Sequence, residues 1–156
     1  MVVSDTTAIT SLLKIGEVDL LRRLFQEVVI PPAVHEELLS YHPVLPPWLV
    51  VQTVAISDAL RLWLRPLDSG EAQAIALAQL QRAELLIIDE KRGRALAEQG
   101  GVRCIGLAGV LLLAKQRQHI GSVEAMLSRL EQQANFYLAA PVKQKLLAAA
   151  SERFEA

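Results

Sequence analysis

The chain has a single cysteine, Cys104, in 156 residues, which leaves no partner for an internal disulfide and no thiolate cluster for a metal. Cys104 is expected to pack as a small apolar residue. Aromatic residues make up only 4% of the chain against an apolar content of 52%, so the core is built from Leu, Ile, Val and Ala, a composition that suits helices packed on a sheet. No run approaches the roughly 20 uninterrupted apolar residues of a membrane span, and no basic segment precedes the first apolar run. These absences predict a soluble cytoplasmic protein. No Gly-rich phosphate loop follows any predicted strand. The net charge of −1 excludes a general attraction to nucleic acid, because such binding begins with Lys and Arg neutralising phosphates. Any affinity of that kind must be local, and basic residues cluster at Arg22-Arg23, at Arg61 with Arg65, and at Lys91-Arg92 with Arg94.

What is present is an alternation of short apolar runs and helical patterns. A chain of this length is about one domain and buries roughly 70% of its unfolded surface. Residues 1–156 read as one domain without repeats, with helices from about residue 122 as an extension. Residues 1–4 predict a strand, followed by a helix capped by Thr6-Thr7 that runs through Lys14 and stops at Gly16. Val18 to Phe25 repeats Leu at helical spacing. Val28 to Ile30 predicts a second strand, and Pro32 starts a helix through Ser40. Tyr41 to Trp48 is a proline-rich loop. Leu49 to Val54 predicts an edge strand. After a polar stretch around Asp58, a helix runs from Asp68 to Gln81, then come strand 85–88, helix 90–99 and strand Val102 to Ile105. From Leu107 onward the pattern is helical, with breaks at Gly121 and Pro141. Strands separated by helices predict a parallel α/β sheet with right-handed crossovers.

Four acids stand where strands end or helices begin: Asp5, Glu37, Glu71 and Asp89. Asp5 and Asp89 each follow an apolar strand, and open parallel sheets gather ligands at the carboxyl ends of their strands. Either could equally be a simple N-cap. Asp68-Ser69-Gly70-Glu71 reads as a capping box, in which Asp68 accepts from the helix N–H groups and Glu71 reaches back to the cap, although from the first turn Glu71 can also point into a cleft. Glu37, with Val34 and Leu38 at helical spacing, is expected to lie nearer the buried stripe than Glu36.

Four segments resemble the ordered motifs of PIN-domain proteins. They are Val2-Val3-Ser4-Asp5-Thr6-Thr7, Ile30-Pro31-Pro32-Ala33-Val34-His35-Glu36-Glu37-Leu38, Leu67-Asp68-Ser69-Gly70-Glu71-Ala72 and Leu86-Ile87-Ile88-Asp89-Glu90-Lys91. More narrowly, the chain is similar to the uncharacterised branch with an Asp-x-Gly-Glu-Ala motif and an extended helical C-terminus. The resemblance implies a three-layer α/β/α fold around a central, mainly parallel sheet of four or five strands. It also implies a Mg2+- or Mn2+-dependent endoribonuclease of the kind that serves as the toxin in toxin–antitoxin pairs. Asp5, Glu37, Glu71 and Asp89 would be the catalytic acids, with Asp5, Glu71 and Asp89 holding the metal. Thr6 or Thr7 would position a ligand or water. The third acid of that family is usually Asp, and here Glu71 stands with one more methylene.

The chemistry of the residues agrees independently. Carboxylate oxygens suit Mg2+ or Mn2+, whereas zinc would call for His or Cys, and His35, His42 and His119 share no ligand spacing. Lys91, Arg92 or Arg94 near Asp89 could hold a flanking phosphate. A receiver-like domain would need a strand ending in Lys, and Val102 to Ile105 runs into Gly106 instead. A dehalogenase-type phosphatase would need Asp-x-Asp, where the chain has Asp5-Thr6-Thr7. The remaining alternative is a protein-binding module that keeps the fold with vestigial acids. The expected partners are an RNA substrate, a small antitoxin and a second copy of the chain, the last because Leu107 to Leu113 and Val123 to Leu130 carry more than one apolar face.

Overall fold

Five short strands, β1 (Val2–Ser4), β2 (Val28–Ile30), β3 (Leu49–Val51), β4 (Leu85–Ile87) and β5 (Cys104–Ile105), pair in parallel in the order β3-β2-β1-β4-β5. This computed structural model describes residues 1–152, so the end of the predicted domain, 153–156, lies outside the described residues. Runs such as Val28-Val29-Ile30 have no polar position because a parallel sheet is covered on both faces. Successive side chains alternate between those faces. Val28, Ile30 and Ile87 pack into one helical layer, while Val3, Val29, Leu86 and Ile88 pack into the other.

The first layer contains α1 (Thr6–Lys14), α2 (Asp19–Phe25), α7 (Leu107–Gln116), α8 (Val123–Ala134) and α9 (Ala140–Ala149), with Val34 and Leu38 of α3 (Pro32–Leu39). The second is built on α5 (Ser69–Leu80) and α6 (Lys91–Gln99), joined by Leu64 just after α4 (Asp58–Trp63). The architecture is thus the three-layer α/β/α arrangement around a parallel sheet, with helices continuing to the C-terminal end of the described chain.

Several boundaries differ from the sequence reading. Helix α4 replaces the polar stretch around Asp58. Its start is capped by Ser57, whose hydroxyl accepts the Leu60 N–H at 3.2 Å, and Leu60 and Trp63 pack half-buried against the second layer beside Leu64. β3 stops at Val51 rather than Val54, because Val50 and Val51 already face solvent at the sheet edge. β5 begins at Cys104, although Val102 is buried. Pro141 does not break a helix: it sits in the first turn of α9, where its fixed φ and missing N–H do no harm. The break lies at Asn135, which takes a left-handed conformation at φ 52° and is followed by an irregular stretch to Ala139.

The apolar faces of α7 and α8 that suggested a second copy of the chain pack in large part within it, with Leu112 and Leu113 left half-buried. α7 packs on β5, α8 and α9, and α8 packs on α1. The C-terminal helices are also tied by Glu152, whose carboxylate accepts the Val123 and Glu124 N–H groups, the Ser122 hydroxyl and the Lys115 ammonium at 2.8–3.1 Å. Burial alone would raise this carboxyl, but those four donors overcome it and hold its pKa at about 2. Among the described residues no helix is long and apolar enough to cross a membrane.

Candidate active site

Because every strand runs the same way, all their carboxyl ends open on one edge. The chain goes from β1 outward to β2 and β3, then returns past β1 to lay β4 on its other side. The reversal leaves a crevice between β1 and β4, the usual ligand position in open α/β sheets. Asp5 directly follows β1, and its N–H donates to Ile87 O at 2.9 Å, which locks it to the end of β4. Asp89 follows two residues after β4. Both therefore stand at the same crevice.

Asp5 is almost fully buried, with 6% of its surface exposed. Burial, and then the negative charges of Asp68, Glu37 and Asp89, push its carboxyl up to about 7, although the neighbouring Thr6 backbone N–H offsets part of that rise.

Two helices bring further acids to Asp5. α3 and α5 lie side by side, linked where the Ala33 N–H donates to Gln73 Oε1 at 3.0 Å. Glu37 leaves α3 from an exposed position, as does Glu36, so the predicted difference in burial between them is not found. What distinguishes Glu37 is its contact: the buried Thr6 hydroxyl donates to its Oε2 at 3.0 Å. Gly70, in the first turn of α5, supplies the space. A methyl group at Gly70 would lie 3.2 Å from Glu37 Oε2, 3.5 Å from Asp68 Oδ1 and 3.6 Å from Asp5 Oδ1. Three carboxylate oxygens thus surround one point. A recess of about 470 Å³ opens beside it, lined by Glu36, Glu37 and Asp68 among others.

Asp68 caps α5 as expected, its Oδ1 accepting the Glu71 N–H at 2.8 Å. The same oxygen faces Gly70, so capping and membership of the acidic cluster are not alternatives, since a carboxylate oxygen accepts more than one bond. Sequence reasoning missed this role because the capping box explained Asp68 completely. The available signal was Gly70, a glycine within a helix between two acids.

Glu71 is half-buried, and its carboxyl is pushed up to about 8 by burial, then by its hydrogen bond with Asp68 and the charges of Asp68, Asp5 and Glu90. It lies beside Gly93 of α6, where an added Cβ would stand 3.7 Å from Glu71 Oε2. Asp89 accepts the Leu107 N–H on both oxygens, at 3.0 and 3.2 Å. It therefore caps α7 across the chain rather than the adjacent α6, which is capped by Glu90. Burial raises the Asp89 carboxyl, with the Leu107 N–H and the nearby Arg94 guanidinium opposing. Arg94 and Lys91 share a second recess with Asp89, whereas Arg92 is exposed and does not line it. Thr7 is half-buried and makes no side-chain hydrogen bond among the described residues.

The donor set fits a hard divalent cation, because it consists of carboxylate oxygens that repel one another in its absence. The side chains are gathered rather than closed: among the described residues, no three His, Cys, Asp or Glu groups are drawn together closely enough to hold a metal as they stand. The expected trio of Asp5, Glu71 and Asp89 is not the one that meets at a point. Asp5, Glu37 and Asp68 do so, with Glu71 and Asp89 on either side, because Glu71 turns toward α6 and Asp89 toward α7.

A family model described as a PIN domain matches residues 1–152 of the chain, and so takes in α8 and α9. No curated protein and no solved structure matches it.

Proposed function

The chain belongs to the PIN-domain family, a nuclease fold, and from that membership we propose that it is a Mg2+- or Mn2+-dependent endoribonuclease hydrolysing RNA phosphodiester bonds. The observation that carries the reading is the meeting of Asp5, Glu37 and Asp68 oxygens around Gly70 at the carboxyl edge of the sheet. Those three residues, with Glu71 and Asp89 beside them, would hold the metal, which when bound polarises a phosphate and lowers the pKa of a coordinated water. The other residues position and neutralise. Thr6 holds one oxygen of Glu37, and the Leu107 N–H fixes Asp89. Lys91 and Arg94 supply the cationic contacts for a phosphate flanking the cleavage point. Divalent charge in the cleft also removes the repulsion that five acids would exert on a polyanion. The reading extends to the toxin of a toxin–antitoxin pair, its antitoxin laying a helix or strand over the recess between α3 and α5.

The second reading, a protein-binding module with vestigial acids, is favoured by one observation: Asp89 is already engaged in capping α7. RNA cleavage assays with Mn2+, Mg2+ or EDTA separate the two, alongside thermal melts with Mn2+. The nuclease reading expects metal-dependent cleavage that Asp5→Asn abolishes and Asp68→Asn strongly reduces, although Asn caps a helix about as well as Asp. No cleavage and no Mn2+-induced rise in Tm would leave the binding module.

A further inference from the structure

The second recess holds chemistry that the acids do not explain. It has a volume of about 500 Å³ and lies between α6, the start of α7 and the connection from α8 to α9. Lys91, Arg94 and Asp89 line one side, and Phe136 and Tyr137 belong to the other. The connection explains how the aromatics are presented. The Phe136 N–H donates back to Leu130 O after the left-handed turn at Asn135, and residues 135–139 form neither helix nor strand. Phe136 and Leu138 pack against the core, while Tyr137 between them is left 64% exposed. Gly106 keeps the floor open, since a Cβ there would stand 2.8 Å from Asp89 Oδ1 and 3.3 Å from Arg94 Nη1.

We propose that this recess is a nucleotide subsite for single-stranded RNA, in which Tyr137 takes the face of an unpaired base and Lys91 with Arg94 takes the adjoining phosphate. Charge and continuity both favour this occupant. The recess offers two cations against one carboxylate, and that carboxylate, Asp89, also acts electrostatically on Asp5 in the acidic cleft. A strand seated on Tyr137 would therefore continue directly toward the acids. An aromatic face of this kind takes any base but requires it to be unstacked, so the recess selects single strands over duplex. The subsite rests on the nuclease reading.

The test is fluorescence anisotropy of a short labelled single-stranded RNA with the full chain in Ca2+, compared with the same sequence as a duplex and with an oligonucleotide carrying abasic positions. Tyr137→Ala is expected to weaken single-strand binding by roughly tenfold or more, with Tyr137→Phe restoring most of it. Duplex binding should be unchanged by Tyr137→Ala, and the abasic oligonucleotide should bind the parent as weakly as the intact one binds the variant. Lys91→Ala should flatten the dependence of log affinity on log salt by about one phosphate contact. Because Tyr137 is exposed, an unchanged Tm will verify that the variants fold. If the parent cleaves RNA with Mn2+ but Tyr137→Ala binds single strands as tightly as the parent, the subsite is overturned and the nuclease reading stands. If the parent neither binds nor cleaves RNA, both fall.

Discussion

Replacing Asp5 by Asn should make the metal-free protein more stable, and by an amount that depends on pH. In the unfolded chain Asp5 ionises with a pKa near 3.8, whereas in the fold burial and neighbouring carboxylates raise it to about 7. Below 3.8 the residue is protonated in both states and contributes nothing. Between 3.8 and 7 the unfolded chain releases a proton that the folded chain retains, so native stability falls as pH rises, and the full penalty is reached above 7. At 1.36 kcal/mol per pKa unit, that penalty is about 4 kcal/mol at pH 8. Asn removes the charge without enlarging the side chain and remains a good residue at the N-cap of α1. Thermal melts in EDTA should therefore show Asp5→Asn above the parent by roughly 8–16 °C at pH 8, about half that near pH 5.5, and almost no difference at pH 4. With Mn2+ the order should narrow or reverse, since a ligand that binds only the native parent stabilises it by mass action. A variant no more stable than the parent in EDTA at pH 8, or a gain independent of pH, would refute the picture of Asp5 as a buried acid crowded by like charge.

Two further predictions concern the C-terminal helices and the acidic cluster. Glu152→Gln should destabilise the protein by about 1.5–3 kcal/mol at pH 7, since it removes charge-assisted bonds to the start of α8. This carboxyl is depressed to about 2, so its contribution is present above its ordinary value near 4.5 and is lost as pH falls toward 2; melts of parent and variant should converge there. Gly70→Ala places a methyl among the oxygens of Glu37, Asp68 and Asp5 and should lower metal-dependent cleavage by about ten- to a hundredfold while leaving far-UV circular dichroism unchanged. Full activity in that variant would mean that the three acids do not act around Gly70.

Much of the fold was legible because it depends on local periodicity. Val28-Val29-Ile30 and Leu85-Leu86-Ile87 are apolar without alternation, as parallel strands covered on both sides must be, and Pro32, Asp68 and Gly16 mark helix ends by their own backbone chemistry. Asp5 and Asp89 could be placed at one edge because position along the chain fixes which end of a parallel strand a residue follows. Helix α4 escaped notice because it is short and its apolar stripe, Leu60 and Trp63, is only half-buried, and Pro141 misled because proline opens helices as readily as it ends them.

Which acids meet was decided by packing between elements distant in sequence. Asp68 looked complete as a cap, and only the seating of α5 beside α3 and over β1 turns its oxygen toward Glu37 and Asp5. Asp89 looked ready to cap its own helix, and only the arrival of α7 after β5 gives it the Leu107 N–H. The same is true of Tyr137, whose exposure beside Lys91 and Arg94 depends on how α9 folds back on α7. Residue order along the chain sets the chemistry each element carries to the sheet edge. The seating of α5 against α3, where Gly70 leaves room for three carboxylate oxygens, determines which of those groups come into contact.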